Sequence, residues 1–568
     1  LPPEADAARC AADWLAASPS ALSSDLEDAP SLLAEADAIL RGTTAIFGEP
    51  CAVDLPALWH RDPRTGAEWP SEIHFTRFNV FHPARDGVTD IRRLWEVGRF
   101  GWALPLARAW RLTGREEYAA AWARFARDFL ARNPPEFGPH WLNAMEVALR
   151  AVSWARALAL LAARPGFSDC APLLREMLSA LLAHGRFVRT HLEWTPYGRT
   201  NHYLADLAGL FVLSLFVPQF READEWRARS LRTLLAEMEI QTDADGFHAE
   251  ASTAYHRFAL ELYRLVEKAA TAARRPLPAA FGERTARLAR VDAALRGAED
   301  LDPRIGDDDS GTLNLLPRDA KATTRNTGEP PLDPRESVAL KASGLYVLRS
   351  ARLSCHVACG PNGQQGVGGH AHNDKLAVVL RADGRPIVVE RGTCGYSADP
   401  ATRDRFRSTA MHSTLALDGL EQSRLRDWRK LADETRARCL TWKDSEAETL
   451  FAGEHRGFRP FRARHGRTLR LDKRRHRLLA MDEIEAAGDH RAALFLHLDP
   501  SFSPQAVVVR ENRVELPGGR FLFEEGLAPE LIEVSHSPVY GGRVPALALR
   551  LRFAFQGRRR LAWEFQVG

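Results

Sequence analysis

Asp307-Asp308-Asp309-Ser310-Gly311, followed by Asn326-Thr327-Gly328 and Pro330-Pro331, is the stretch on which the reading of the whole chain turns. Over about 300–336 regular patterning stops and turn residues take over, since Gly, Pro, Asn and Asp each favour turn backbone for their own steric or hydrogen-bonding reason. On the N-terminal side, to about Leu295, apolar residues recur at helical spacing, as in Trp95-Trp102-Leu106, Ala148-Val152-Ala155 and Leu173-Met177-Leu181. Successive amphipathic stretches of roughly 15 to 20 residues are joined by turns such as Leu112-Thr113-Gly114 and Asn133-Pro134-Pro135. They predict stacked antiparallel helical hairpins in a toroid or arc around a cleft. On the C-terminal side the period becomes two, in Gly344-Leu345-Tyr346-Val347-Leu348, Leu376-Ala377-Val378-Val379-Leu380, Pro386-Ile387-Val388-Val389 and Leu547-Ala548-Leu549-Arg550-Leu551, with turns such as Ala382-Asp383-Gly384. The expected organisation is multidomain α + β: an (α/α) toroid over 1–300, a linker over 301–336 and an antiparallel β-sandwich over 337–568.

Composition narrows the function classes. A chain of 568 residues exceeds the size at which one hydrophobic core keeps growing, which predicts two or three domains. No apolar run approaches the roughly 20 residues that span a bilayer, so no membrane insertion is expected. A net charge of +3 with interleaved signs argues against nucleic acid, and any acidic partner must be met locally. The basic residues are mostly Arg, which suits bidentate recognition of carboxylate or sulfate and which a GC-rich genome would equally produce. Seven scattered cysteines do not form a disulfide framework, and Cys355 and Cys359 around His356 read as strand packing rather than a zinc site. Lys473-Arg474-Arg475-His476-Arg477 reads as a solvated hairpin turn. The Gly-rich stretch from Gly360 to Gly366 lacks the Lys-Ser/Thr of a P-loop. The chain begins at Leu1 without Met, in keeping with a leader removed or trimmed.

Three polar islands interrupt this patterning: Thr200-Asn201-His202-Tyr203, Glu250-Ala251-Ser252-Thr253-Ala254-Tyr255-His256 and Gly368-Gly369-His370-Ala371-His372-Asn373-Asp374. Together they hold what elimination beside a carboxylate requires. A uronate glycan is cleaved without water when the C5 proton is removed and the C4 oxygen departs. The site must stabilise charge on the carboxylate, take the proton and protonate the leaving oxygen. Tyr255, in a segment read as helical from near Phe247, could serve as acid or base. As a base its pKa must fall from about 10, which a nearby cation would achieve. His256 faces away from it. Asn201 either caps the helix it opens or turns its amide to a substrate carboxylate. His370 and His372, two residues apart, point to one face of a strand and suggest a metal site, or one ligand plus one catalytic group, with a merely structural pair as the remaining alternative. Glu390 and His412 could complete a His-carboxylate-His set with His372. Glu96 with Arg99, and Glu146 with Arg150, have intrahelical pairing distance, either structural or lining the cleft. Arg199, close to Asn201, is the preferred substrate contact, with Arg150, Arg99, Glu250 and Trp141 completing that set.

The chain resembles the heparinase II/III family of polysaccharide lyases over nearly its whole length. The resemblance runs through Leu94-Trp95-Glu96-Val97-Gly98-Arg99, Trp141 to Arg150, Ile305 to Gly311, the His370-Ala371-His372-Asn373-Asp374 motif and Met411 to Gly419. It implies a toroid followed by a β-sandwich, with the active site in the cleft between them. It further implies Asn201 and His370 as carboxylate-neutralising residues and Tyr255 as catalytic acid, in some members also base. His202 matches a base of some relatives. His372, Glu390 and His412 match a metal set, with Glu390 where Asp is usual. A structural zinc, calcium or manganese ion and no organic cofactor are expected. The expected function is β-elimination of heparan sulfate, heparin or a related glycosaminoglycan. Alternatives are a lyase on another uronate such as alginate, a hydrolase using Glu250 and Asp374, and a non-catalytic glycan-binding protein. The expected partner is an acidic polysaccharide, met in the periplasm or outside the cell.

Overall fold

The computed structural model describes residues 29–80, 89–162, 171–196, 198–313, 333, 335–427 and 429–568. Tyr197 and the turn signals Asn326-Thr327-Gly328 and Pro330-Pro331 lie outside the described residues. Helices fill the N-terminal half in two rows. Leu104–Thr113, Ala144–Ala162, Asn201–Phe216 and Thr253–Ala272 pack successively on one another. Glu116–Arg132, Ala171–Thr190, Ala223–Ile240 and Ala279–Arg296 each pack on the helix they follow, which is the hairpin arrangement the periodicity predicts. Residue type sorts the rows. Asn201–Phe216 is apolar on all sides and buried nearly throughout, whereas Ala223–Ile240 buries a single stripe. Gly209 lets two inner helices touch, since a Cβ there would lie 2.7 Å from the Ala148 Cβ.

The C-terminal half is two antiparallel sheets. Five strands from Val338–Leu340 to Arg385–Val388 pair in sequence order, and a ten-stranded sheet is built around the long pair Arg477–His497 and Val544–Val567. Alternate residues of both sheets, among them Leu348, Val357 and Leu380 against Phe451, Leu494 and Phe565, form one buried core. The turn at Asp383-Gly384 has positive φ at both positions, as tight hairpins require. Lys473 to His476 form the expected turn between Arg464–Asp472 and Arg477–His497.

The halves are joined at a helix end. The last turn of Ala279–Arg296 leaves carbonyls without intrahelical donors, and cationic and imidazole groups from the five-stranded sheet take them. Arg349 Nη2 donates to Ala294 O at 2.5 Å, His356 Nε2 to Leu295 O at 2.7 Å and Arg381 Nη1 to Arg296 O at 3.1 Å. That contact confirms His356 as a packing residue; Cys355 and Cys359 are buried free thiols. Phe247, Val291, Leu295, Val338 and Leu345 seal the junction.

Two local expectations change. The Tyr255 helix begins at Thr253, not near Phe247, with Ser252 Oγ capping the Tyr255 amide at 3.3 Å. His370 to Asp374 are irregular backbone, not strand, so alternation does not orient the two histidines. Among the described residues no helix is long and apolar enough to cross a membrane.

Candidate functional site

Asp307, in the segment read as linker, is the hub of the site. The chain reaches it through Gly306, whose φ is +74°, and a Cβ there would lie 2.8 Å from His370 O and 2.9 Å from Ala251 O. Asp307 N then donates to His370 O at 2.9 Å and Ser252 Oγ to Asp307 O at 2.6 Å, pinning the segment to both halves. The fully buried carboxylate accepts from His370 Nδ1 at 2.9 Å, His372 Nε2 at 2.8 Å, Thr393 Oγ1 at 3.2 Å and both terminal nitrogens of Arg403. Burial alone would raise this carboxyl. The Arg403 guanidinium and the two imidazoles outweigh burial and hold it well below the usual carboxylate range. His370 and His372 are thus drawn together by one acceptor, from opposite oxygens, rather than by strand geometry.

Tyr255 stands in the first turn of its helix, and its ring stacks on His370 with centroids 3.7 Å apart. Its hydroxyl lies 2.9 Å from the Tyr396 hydroxyl and donates to Asp309 Oδ2 at 3.2 Å. Burial, then Asp309 and Asp307, push the phenol well above its ordinary pKa, against a smaller opposing pull from Tyr396 and Arg92. The cation needed to make Tyr255 a base is therefore outweighed: this is a neutral phenol, equipped to give a proton. Arg92 is spent on Asp309 and Glu96, each at 3.0 Å.

Asn201 is the first residue of its helix, with Thr200 in the capping position, so it is no N-cap. Glu250, fully buried, accepts from Asn201 Nδ2 at 2.8 Å and from Gln364 Nε2 at 3.1 Å. Gln364 Oε1 in turn accepts from Gly369 N at 2.7 Å, which links Asn201 to the loop of His370. His202 Nδ1 is 2.7 Å from Glu193 Oε2, and its side chain retains 30% exposure. Burial disfavours charge on His202, but the Glu193 carboxylate outweighs it and lifts the imidazole above its ordinary value.

Several expected substrate contacts are corrected. Arg150 is wholly buried beneath Phe129, Trp141 and Trp154, donating to His184 Nε2 at 2.9 Å and His140 O at 3.1 Å. Burial lowers its pKa to about 9. Trp141 is 1% exposed and packs on Phe187 and His184. Both belong to the helical core. Glu146 pairs not with Arg150 but with Arg99, at 2.7 and 2.8 Å across helices, while Arg99 also meets Glu96 at 3.2 Å as its spacing predicts. Glu250 orients Asn201 instead of meeting substrate. Arg199 is partly exposed and pairs with Glu237 at 3.2 Å.

His372, Glu390 and His412 lie together: His412 Nδ1 meets Glu390 Oε2 at 2.5 Å, and the two imidazoles are 5.2 Å apart. Burial lowers His372 to about 4, whereas Glu390 overcomes burial to raise His412. Among the described residues no three or more His, Cys, Asp or Glu side chains are arranged as a metal cluster. His372 Nε2 is held by Asp307 and His412 Nδ1 by Glu390, and the buried Nε2 of His412 has no hydrogen-bond partner.

Asp307, Asp309, Tyr396, Arg403 and Glu193 escaped the sequence reading. Only the Asp307-Asp308-Asp309 run carried a local signal, as consecutive acids in the turn-rich segment.

Two family models match, one described as Heparinase II/III N-terminus over residues 70–326 and one as Heparinase II/III-like, C-terminal, over 332–564. A heparin-sulfate lyase from Pedobacter heparinus is 25% identical over 363 residues, 58% of this chain and 53% of that protein. One from Bacteroides thetaiotaomicron is 23% identical over 364 residues, 57% of this chain and 51% of that protein. The chain thus spans about half the length of these relatives. A crystal structure of heparinase III superposes with a TM-score of 0.71 at 17% identity, covering 95% of this chain and 85% of that one. With both models matched in order across the helical and β halves, the chain belongs to the heparinase II/III family.

Proposed function

We propose that the protein is a polysaccharide lyase that cleaves a uronate-containing glycosaminoglycan of the heparan sulfate and heparin class by β-elimination. The observation that carries this reading is the neutral Tyr255 phenol, stacked on His370 and hydrogen-bonded to Tyr396 and Asp309. His370, held at Nδ1 by Asp307, offers Nε2 to the substrate carboxylate, and the Asn201 amide shares that task. As the C5 proton leaves, charge moves onto the carboxylate and these fixed dipoles meet it where it develops. Tyr255 protonates the departing C4 oxygen, and His202, backed by Glu193, takes the C5 proton. Arg199 is the candidate contact for substrate charge. The curated relatives named heparin-sulfate lyases support the substrate class, and a polymer of that kind places the enzyme in the periplasm or outside the cell. A hydrolase needs two available carboxylates; Glu250 is fully buried under Asn201 and Gln364, and Asp374 is buried against Lys375 at 3.2 Å.

The test is ultraviolet absorbance of unsaturated uronate with heparan sulfate, heparin, chondroitin sulfate, hyaluronan and alginate as substrates. Absorbance growing on heparan sulfate or heparin is expected. Growth on alginate alone moves the substrate class, and binding without absorbance makes the protein a glycan-binding member of the fold.

A base must be unprotonated to accept the C5 proton. The acidic limb of kcat/KM is therefore expected to rise through the elevated pKa of His202, and activity to fall again only where Tyr255 ionises, well above the ordinary phenol value. Glu193→Gln removes the largest raising influence and leaves burial, so the acidic limb should move to lower pH. A limb that stays in place takes His202 out of the base role.

His372, Glu390 and His412 would hold a structural divalent ion, zinc, calcium or manganese. Glu390 and His412 already meet and the rings of His372 and His412 lie 5.2 Å apart, which supports this. The ion would fix the irregular 368–375 segment to the sheet. Purified protein should carry about one ion per chain by elemental analysis, and chelation should lower its melting temperature; protein without bound metal and insensitive to chelator rejects the site.

A further inference from the structure

A second cluster of unsatisfied polar atoms lies where the end of Arg477–His497, the end of Glu530–His536 and the loop after Arg385–Val388 converge. Arg391 is 0% exposed, yet its Nε, Nη1 and Nη2 all lack a hydrogen-bond partner among the described residues. The neighbouring carboxylate, Glu390, attracts Arg391 electrostatically but makes no hydrogen bond to it, and it is shared with His412 Nδ1 at 2.5 Å. Arg391 acts electrostatically on both His497 and His536, and backbone bonds hold the segments that carry the three residues side by side. The Nδ1 atoms of these two buried histidines are also unpartnered. His497 donates Nε2–H to Ala410 O at 3.0 Å, so its Nδ1 carries a lone pair and needs a donor. The backbone around the cluster is fixed: Val389 N donates to His497 O and Ser537 N to Arg391 O, each at 2.9 Å.

A guanidinium removed from water with none of its N–H groups bonded is costly to bury, and it does not escape by losing its proton. The space must therefore supply two things, an acceptor with negative charge for Arg391 and a donor for His497 Nδ1. Water alone satisfies the hydrogen bonds and leaves only Glu390, which His412 also draws on, against the charge. We propose that Arg391, with His497 and His536 beside it, forms an internal site for a small inorganic anion, whose hydrating water or own hydroxyl donates to the imidazole nitrogen. Chloride with a water, or a protonated oxyanion such as hydrogen phosphate, meets the same requirement. This site is separate from the groups assigned to the elimination, and it braces the loop that carries Glu390 and Thr393 toward the hub.

The test uses the whole chain, dialysed into sodium gluconate and titrated at constant ionic strength with sodium chloride, sodium bromide or sodium phosphate. One of these anions should give a saturable rise in melting temperature, roughly 2 °C at 100 times the half-saturating concentration for a chain of this size. Arg391→Met should abolish that rise. Crystals of the wild type grown in bromide, or in phosphate if only phosphate responds, should show the anion at the guanidinium. This second measurement decides the matter if Arg391→Met fails to fold. Identical anion responses in wild type and variant, or no anion beside Arg391 in the crystal, overturn the proposal. Failure of the lyase reading would leave either result intact.

Discussion

Tyr255→Phe should lower the rate of unsaturated-uronate formation about 1,000-fold, in the middle of the range for loss of a positioned acid. The substitution keeps the ring that stacks on His370 and removes only the oxygen shared with Tyr396 and Asp309. Asp309 retains Arg92 at 3.0 Å and the Gly311 amide at 2.9 Å, so the cost to stability should stay near 1 kcal/mol. The expected signature is a fall in kcat with KM nearly unchanged, because the phenol acts on the leaving oxygen and not on ground-state binding. A variant that keeps more than a tenth of wild-type kcat would assign the acid to another group, with Tyr396 next in line.

Asp307→Ala should produce the largest loss of stability of any single change in the site. The fully buried carboxylate balances the equally buried Arg403 and holds two imidazoles, the buried His372 and the partly exposed His370. Its removal leaves a buried positive charge without its counter-ion, a loss of about 3–5 kcal/mol. Activity should vanish as well, since His370 loses the acceptor that fixes its ring. Urea denaturation measures the first effect. Adding Arg403→Ala to Asp307→Ala should restore part of the stability, because the charge that needed balancing has gone. A double variant whose losses simply add would show that the two residues are not coupled.

The helical and strand periods were legible because each half buries a continuous apolar surface, and burial imposes its spacing on the sequence. Tyr255, Asn201, His202 and His370 could be singled out as candidates because their polar side chains stand out against apolar, regularly patterned surroundings. Asp307 was not, since its importance comes from residues 63 to 96 positions away that meet on it, and locally it is one acid among three in a turn-rich segment. Arg150 and Trp141 misled for the converse reason. On an inner helix a polar or aromatic residue can face a cleft or a neighbouring helix, and periodicity does not distinguish the two. Arg150 faces His184 and a cage of rings.

The seam between the halves bears on how far such proteins can diverge. At the end of Ala279–Arg296 the sheet's hydrogen bonds take only backbone carbonyls, which every residue type supplies, so sequence drift in the helix leaves them intact as long as Val291 and Leu295 stay apolar against Val338 and Leu345. Asp307 with Arg403 is the opposite kind of contact, one that needs two specific side chains from different halves. Chimeras that recombine helical and β halves from distant relatives should therefore tolerate mismatched helix sequences at the joint wherever the apolar positions 291 and 295 are kept, and should fail where the incoming half lacks its member of the Asp307–Arg403 pair.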